Sequence, residues 1–165
     1  MARHNVKIVD QAGHNVVPTR RYQTDAGTTA IVAGEPVMLT TIGTSVYAAA
    51  LTDGKPVIGT DVFCGIAASD STHTASADGV VDVFLPLPGV VYRAAAKSAA
   101  AADSDAEILA LANKRVPFDL TSSVYTVDTA AADGATNGLI LTGTGNSSTS
   151  EVDFMVSLQA THLAY

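Results

Sequence analysis

Hydrophobic positions along this chain fall mostly at every second residue, in short runs. In EVDFMVSL (151–158), Val152, Phe154, Val156 and Leu158 alternate with Glu151, Asp153, Met155 and Ser157. This predicts a strand with one apolar face. Its other face carries two carboxylates and should meet water or a basic partner. GLILTG (138–143) is expected to lie beside it, across the small polar loop TGNSSTS (144–150). EPVMLTT (35–41), SVYAAAL (45–51), PVIGT (56–60) and VFCGIAAS (62–69) are further short β-favouring runs, separated by Gly, Pro, Asp and Thr.

Nearer the N-terminus, VKIV (6–9) reads as one strand added to a sheet edge and YQTDAGTT (22–29) as loop. In GVVDVFLPLPGVVYRA (79–94), Val81, Val83 and Leu85 share one face and Val80, Asp82 and Phe84 the other. Pro86 to Gly89 should turn the chain before VVYRA resumes as a second strand, because proline cannot donate a ladder hydrogen bond. The pairs Asp53-Gly54, Asp78-Gly79, Asp133-Gly134 and Asn137-Gly138 supply residues that tolerate the positive φ of tight turns.

One helix is signalled. Ser104 followed by Glu107 forms a capping-box pattern, Ile108, Leu111 and Ala112 share a face, Lys114 and Arg115 suit a helix C-terminus, and Pro117 forbids continuation. The helix should span about 104–115. The alanines of RAAAKSAAAAD (93–103) read as the exit from a strand into an extended or loosely helical loop. Together these elements predict an all-β fold, a compact antiparallel β-barrel or sandwich with one short α-helix and an extended N-terminal arm. Residues 1–33 form the arm and first edge strand, and residues 34–165 a single β-rich domain.

Charge changes this picture more than length does. Charged residues are 15% of the 165, against about 25% in an ordinary domain, with Ala, Thr, Ser and Gly in their place. Such a composition suits a surface that faces another protein. Within the net charge of −7, residues 1–21 hold Arg3, Lys7, Arg20 and Arg21 against Asp10 alone, so an acidic body follows a basic arm. An acidic body repels nucleic acid and argues against a direct nucleic-acid role. No apolar run approaches the roughly 18 residues of a membrane span, and the first residues lack the apolar region of a signal peptide. The chain is expected to be made and used in a cytoplasm, or released from one by lysis.

Candidate chemistry is sparse. Cys64, the one cysteine, sits among apolar neighbours and reads as a buried, inert thiol. His73 reads as an exposed loop residue. His4, His14, His73 and His162 stand apart, without metal-ligand spacing. Asp70, Asp78 and Asp82 flank a Ser/Thr-rich loop but fit no calcium-binding repeat. TGTGNSS (142–148) has the glycines of a phosphate loop without its lysine. No catalytic residue, metal or cofactor is expected, and a structural or binding role becomes the default.

With that layout in view, GVVDVFLPLPGVVYRAAAKS (79–98) and KRVPFDLTSSVYTVDTAAADGATNGLIL (114–141), and less strongly the chain from Gly34 onward, resemble small decoration (cement) proteins on the heads of tailed bacteriophages. The resemblance implies a non-catalytic virion protein. It would bind the major capsid protein on the outer capsid surface, associate with itself as a homotrimer, stiffen the shell, and be made in the host cytoplasm. Partner contacts are expected from Arg3, Lys7, Arg20 and Arg21 in the arm, and from Arg93 and Lys97 beside the Ala-rich 94–103 loop. Deleting residues 2–21 should then remove capsid binding and leave the β-domain folded. The alternatives are a receptor- or glycan-binding head protein and a small trimeric β-barrel hydrolase.

Overall fold

The alternating runs fold into twelve strands in a computed structural model, which describes residues 6–13 and 16–161. In chain order they are β1 (Lys7–Asp10), β2 (Thr19–Thr24), β3 (Pro36–Ile42), β4 (Ser45–Ala50), β5 (Val62–Ala67), β6 (Gly79–Phe84), β7 (Val91–Ala95), β8 (Arg115–Val116), β9 (Phe118–Thr121), β10 (Val124–Val127), β11 (Leu139–Asn146) and β12 (Glu151–Val156). Helix α1 spans Asp105–Ala110. One antiparallel sheet has the order β1-β7-β12-β11-β8, a second has the order β2-β6-β5-β3-β4, and β9 with β10 forms a separate hairpin. The second sheet curls until β4 lies close to β2 without pairing with it. The fold is all-β, with antiparallel sheets and one short helix.

The ribbon around Pro86 divides as its pattern predicts. β6 belongs to the second sheet and β7 to the first, so the Pro-Leu-Pro-Gly turn carries the chain from one sheet to the other. Val81 and Val83 are buried, while Val80, Asp82 and Phe84 are half-buried. β11 and β12 pair across the polar loop, Leu139 opposite Val156 and Leu141 opposite Phe154.

Two cores result. The larger fills the space between the sheets. Tyr92 stacks on Phe154 at 5.8 Å between ring centroids, and Phe118 meets Phe154 edge-on at 5.3 Å. The smaller lies inside the curled sheet and is built from Ile31, Val37, Ala48, Cys64, Ala67, Val81 and Val83. β5 serves both. Strict alternation would put Phe63 and Gly65 on one face, but a bulge at Gly65, which has φ +133°, shifts the phase. Phe63 and Ile66 then face the larger core, and Cys64 and Ala67 the smaller. A side chain at 65 would overlap the carbonyl of Phe84, so only glycine fits.

Several expectations are corrected. α1 ends at Ala110 with Leu111 as its C-cap, because Asn113 takes a left-handed conformation (φ +64°) and donates its N–H to Leu141 O at 2.8 Å. Lys114 and Arg115 therefore leave the helix, and Arg115 begins β8, where pairing with β11 supplies the backbone partners that further helix would have used. Tyr22 to Thr24, read as loop, are the end of β2. Of the four turn glycines only Gly54 has positive φ. Gly79 is required instead by close approach, since a Cβ there would overlap the backbone of His73.

The described extended parts of the N-terminal segment are paired. VKIV does add an edge strand, as β1 joins β7, and β2 pairs with β6 from Thr19 to Thr24. Deleting residues 2–21 would remove β1 and half of β2, so the truncation cannot leave both sheets intact.

Candidate functional site

The described cations among those singled out in the sequence lie on three separate parts of the fold. On the outer face of the first sheet, Lys7 stands opposite Arg93, and Arg93 opposite Asp153. The Arg93 guanidinium grips Asp153 through Nε at 2.6 Å and a terminal nitrogen at 2.9 Å, a two-pronged geometry that strengthens an ion pair. Asp153 is 4% exposed and also accepts from Thr144 Oγ1 at 2.9 Å. Lys7 Nζ reaches both oxygens of Glu151 at 2.9 and 3.1 Å. Burial by itself would raise the Glu151 carboxyl, but hydrogen bonds from Lys7 and Thr149 outweigh it and hold the group below its ordinary value. The two carboxylates of β12 thus meet basic partners inside the chain.

On β2, Arg21 grips Asp82 of β6 with bonds of 2.9 and 3.0 Å, while Arg20 lies 5.4 Å from the centre of the Tyr22 ring. After β7, Lys97 bridges Asp119 of β9 at 2.7 Å and Asp128 at 3.2 Å. Burial would lift the Asp119 carboxyl, but bonds from Lys97 and Thr121 overcome that and pull it down. Lys7, Arg21, Arg93 and Lys97 therefore tie strands and loops of this chain together. Arg3 lies outside the described residues.

A different surface arises where charge is missing. From Pro36 to Thr52 there is no charged side chain, and this stretch is the β3–β4 hairpin. Gly43 (φ +63°) and Thr44 make its two-residue turn, and the tip exposes Ile42 (38%) and Val46 (56%). Edge elements ordinarily carry charges that discourage association, and this one carries none. Beside it a groove of about 560 Å³ runs between the hairpin, residues 27–29 and the β9–β10 hairpin. Glu35, 2% exposed, lines this groove. Sequence reading took Glu35 only as the start of a β run. The groove gathers segments far apart in the chain, so its one signal was a lone carboxylate ahead of an uncharged stretch.

Cys64 is fully buried, and burial pushes its thiol up to about 12, with Arg20 acting weakly the other way. That matches the expected inert cysteine. His73 is half-buried and not the exposed residue expected: its Nε2 sits 3.0 Å from Thr28 O, so this nitrogen carries the proton, and it ties two loops together. Among the described residues no group of three or more His, Cys, Asp or Glu side chains is placed to hold a metal ion. No described helix is long and apolar enough to cross a membrane. No family model, curated protein or solved structure matches the chain.

Proposed function

We propose that this chain is a decoration protein of a tailed-bacteriophage head, a homotrimer that binds the major capsid protein on the outer capsid surface and stabilises the shell without catalysing a reaction. The observation that carries this reading is the uncharged β3–β4 hairpin with its apolar tip, set on a body of net negative charge. A protein held at many equivalent positions on a lattice needs only a modest contact per copy, because linked weak contacts sum over the whole shell. A small side chain such as Ala49, which is not part of the smaller core, permits the close approach such a contact needs.

The test is cosedimentation of the purified protein with expanded capsids that lack it, followed by electron microscopy of both particle types. Extra density on the outer surface and a higher disruption temperature are the expected results. Capsids that neither bind the protein nor gain stability would overturn the proposal. Analytical ultracentrifugation of the free protein should show a trimer.

A further inference from the structure

Two apolar features of the molecule complement each other in shape. The first is the tip of the β3–β4 hairpin. Val46 stands opposite Thr41, and Thr41 alternates with Ile42, so Val46 and Ile42 point to opposite faces of the ribbon, and both are exposed. A ribbon apolar on one face suits a flat surface, whereas one apolar on both faces suits a cleft. The second feature is such a cleft, of about 470 Å³, beside β1 at the open edge of the larger core. Val6 and Ile8 line it from the first sheet, and Ile66 and Phe84, with their neighbours Ala33 and Ala68, line it from the second. Its volume is in the range of sites that take small ligands, and so has room for an isoleucine and a valine side chain. The one charged side chain among the described residues lining it is Lys7, whose Nζ is held by both oxygens of Glu151 at 2.9 and 3.1 Å. Copies of a chain with net charge −7 repel one another, so contact between them is favoured where neither surface carries an unneutralised charge. The hairpin and the cleft form such a pair.

We infer that the β3–β4 tip of one copy docks in the cleft beside β1 of a second copy, with Ile42 and Val46 between its two walls. Tip and cleft are different parts of the chain, so the contact is head-to-tail, and a copy that fills its neighbour's cleft still offers its own. Repetition ends when a ring closes. Every member of a closed ring makes the contact twice, once with its tip and once with its cleft, so two small contacts act together. The ring covers the tip and leaves Ala49, farther along β4, to the shell. That the ring holds three copies rests on the decoration-protein reading; that the tip meets the cleft rests on the two surfaces alone.

Sedimentation of the full chain tests this with two variants. Val46→Asp puts a charge on the exposed tip and leaves the cleft intact, whereas Ala68→Asp puts one at a half-buried position in the cleft and leaves the tip intact. At micromolar concentration wild type should sediment as a trimer, and each variant alone as a monomer with an unchanged far-ultraviolet circular dichroism spectrum. Mixed in equal amounts, the two variants should form a dimer, because the open tip of Ala68→Asp fits the open cleft of Val46→Asp and their other two surfaces are blocked. The mixture is run at submillimolar concentration, since one contact must hold what the ring holds with two. A contact between two tips would instead leave Ala68→Asp fully associated. Should Ala68→Asp fail to fold, Ala33→Asp, also half-buried in the cleft lining, takes its place. A monomeric wild type, a folded variant that remains a trimer, or a mixture that remains monomeric would overturn the inference. Capsid cosedimentation of wild type separates this outcome from the decoration reading. Capsid binding by a chain whose association ignores both substitutions defeats the tip-and-cleft contact and leaves the reading standing; tip-and-cleft association without capsid binding does the reverse.

Discussion

The outer face of the first sheet and the β3–β4 hairpin of the second sheet handle charge in opposite ways. On the first, Lys7, Arg93 and Asp153 stand in register across β1, β7 and β12, Glu151 lies two residues along β12, and each cation meets a carboxylate. On the second, Pro36 to Thr52 carry no charge, and Ile42 and Val46 face solvent. The contrast shows that a count of charged residues does not locate a docking surface. Where charges are few they can be engaged in joining strands, and a partner that wanted them would first have to break those pairs. A surface free of charge imposes no such desolvation penalty on the partner that covers it.

The largest effect should come from cutting the ionic ladder at its most buried rung. Arg93→Ala leaves Asp153 nearly buried without its pair, and urea denaturation should register a loss of about 3 kcal/mol. Val46→Ala, at the exposed hairpin tip, should stay within about 0.5 kcal/mol. Equal costs at the two sites would erase the distinction between them.

Acid should act on the same side of the comparison. Glu151 and Asp119 have folded values below their ordinary 4.5 and 3.8. A carboxylate depressed by folding stabilises above its ordinary value, and the gain disappears as pH falls through the folded value. Stability should therefore be level above about pH 5 and decline below it. Lys7→Met and Lys97→Met should each flatten that decline, as equilibrium unfolding at a series of pH values would show. A decline of the same steepness in both variants would mean that other carboxylates carry the effect.

Burial predicts a slower, chemical difference inside the second sheet. With its thiol pushed up to about 12, Cys64 should resist a thiol reagent at pH 8 in the native protein and react fully once unfolded. Rapid native labelling would show that the small core opens readily. The smallest stability change is expected from Val46→Asp, within about 0.5 kcal/mol by urea denaturation. On the proposed function it should nevertheless weaken capsid binding strongly; unchanged binding would move the interface away from the hairpin tip.

Much of the local structure was legible because single-strand patterns are local. The alternation over 151–156 marks β12, and the prolines at 86 and 88 separate β6 from β7. The start of α1 was legible too: Ser104 Oγ accepts the Glu107 amide at 3.4 Å and donates to the Glu107 carboxylate at 2.9 Å. The helix end was not, because Lys114 and Arg115 complement a helix C-terminus as well as they suit β8. Pairing with β11, distant in sequence, decides between the two.

The candidate site was less legible than the fold. The acidic face of β12 was visible, but not that Lys7 and Arg93 would neutralise it. The lack of charge between Pro36 and Thr52 can be read from the residues, but the groove that Glu35 and Ser123 both line cannot. By itself the sequence determined the alternation of strand faces, the capped helix start, the turn at Pro86 and a body poor in charge, because each depends on neighbours within a few residues. Only the tertiary structure decided which carboxylate each cation meets, that β5 serves two cores through the Gly65 bulge, and that an uncharged hairpin stands beside a buried glutamate. Those outcomes depend on contacts between residues far apart in the chain, and the packing of the whole molecule selects them.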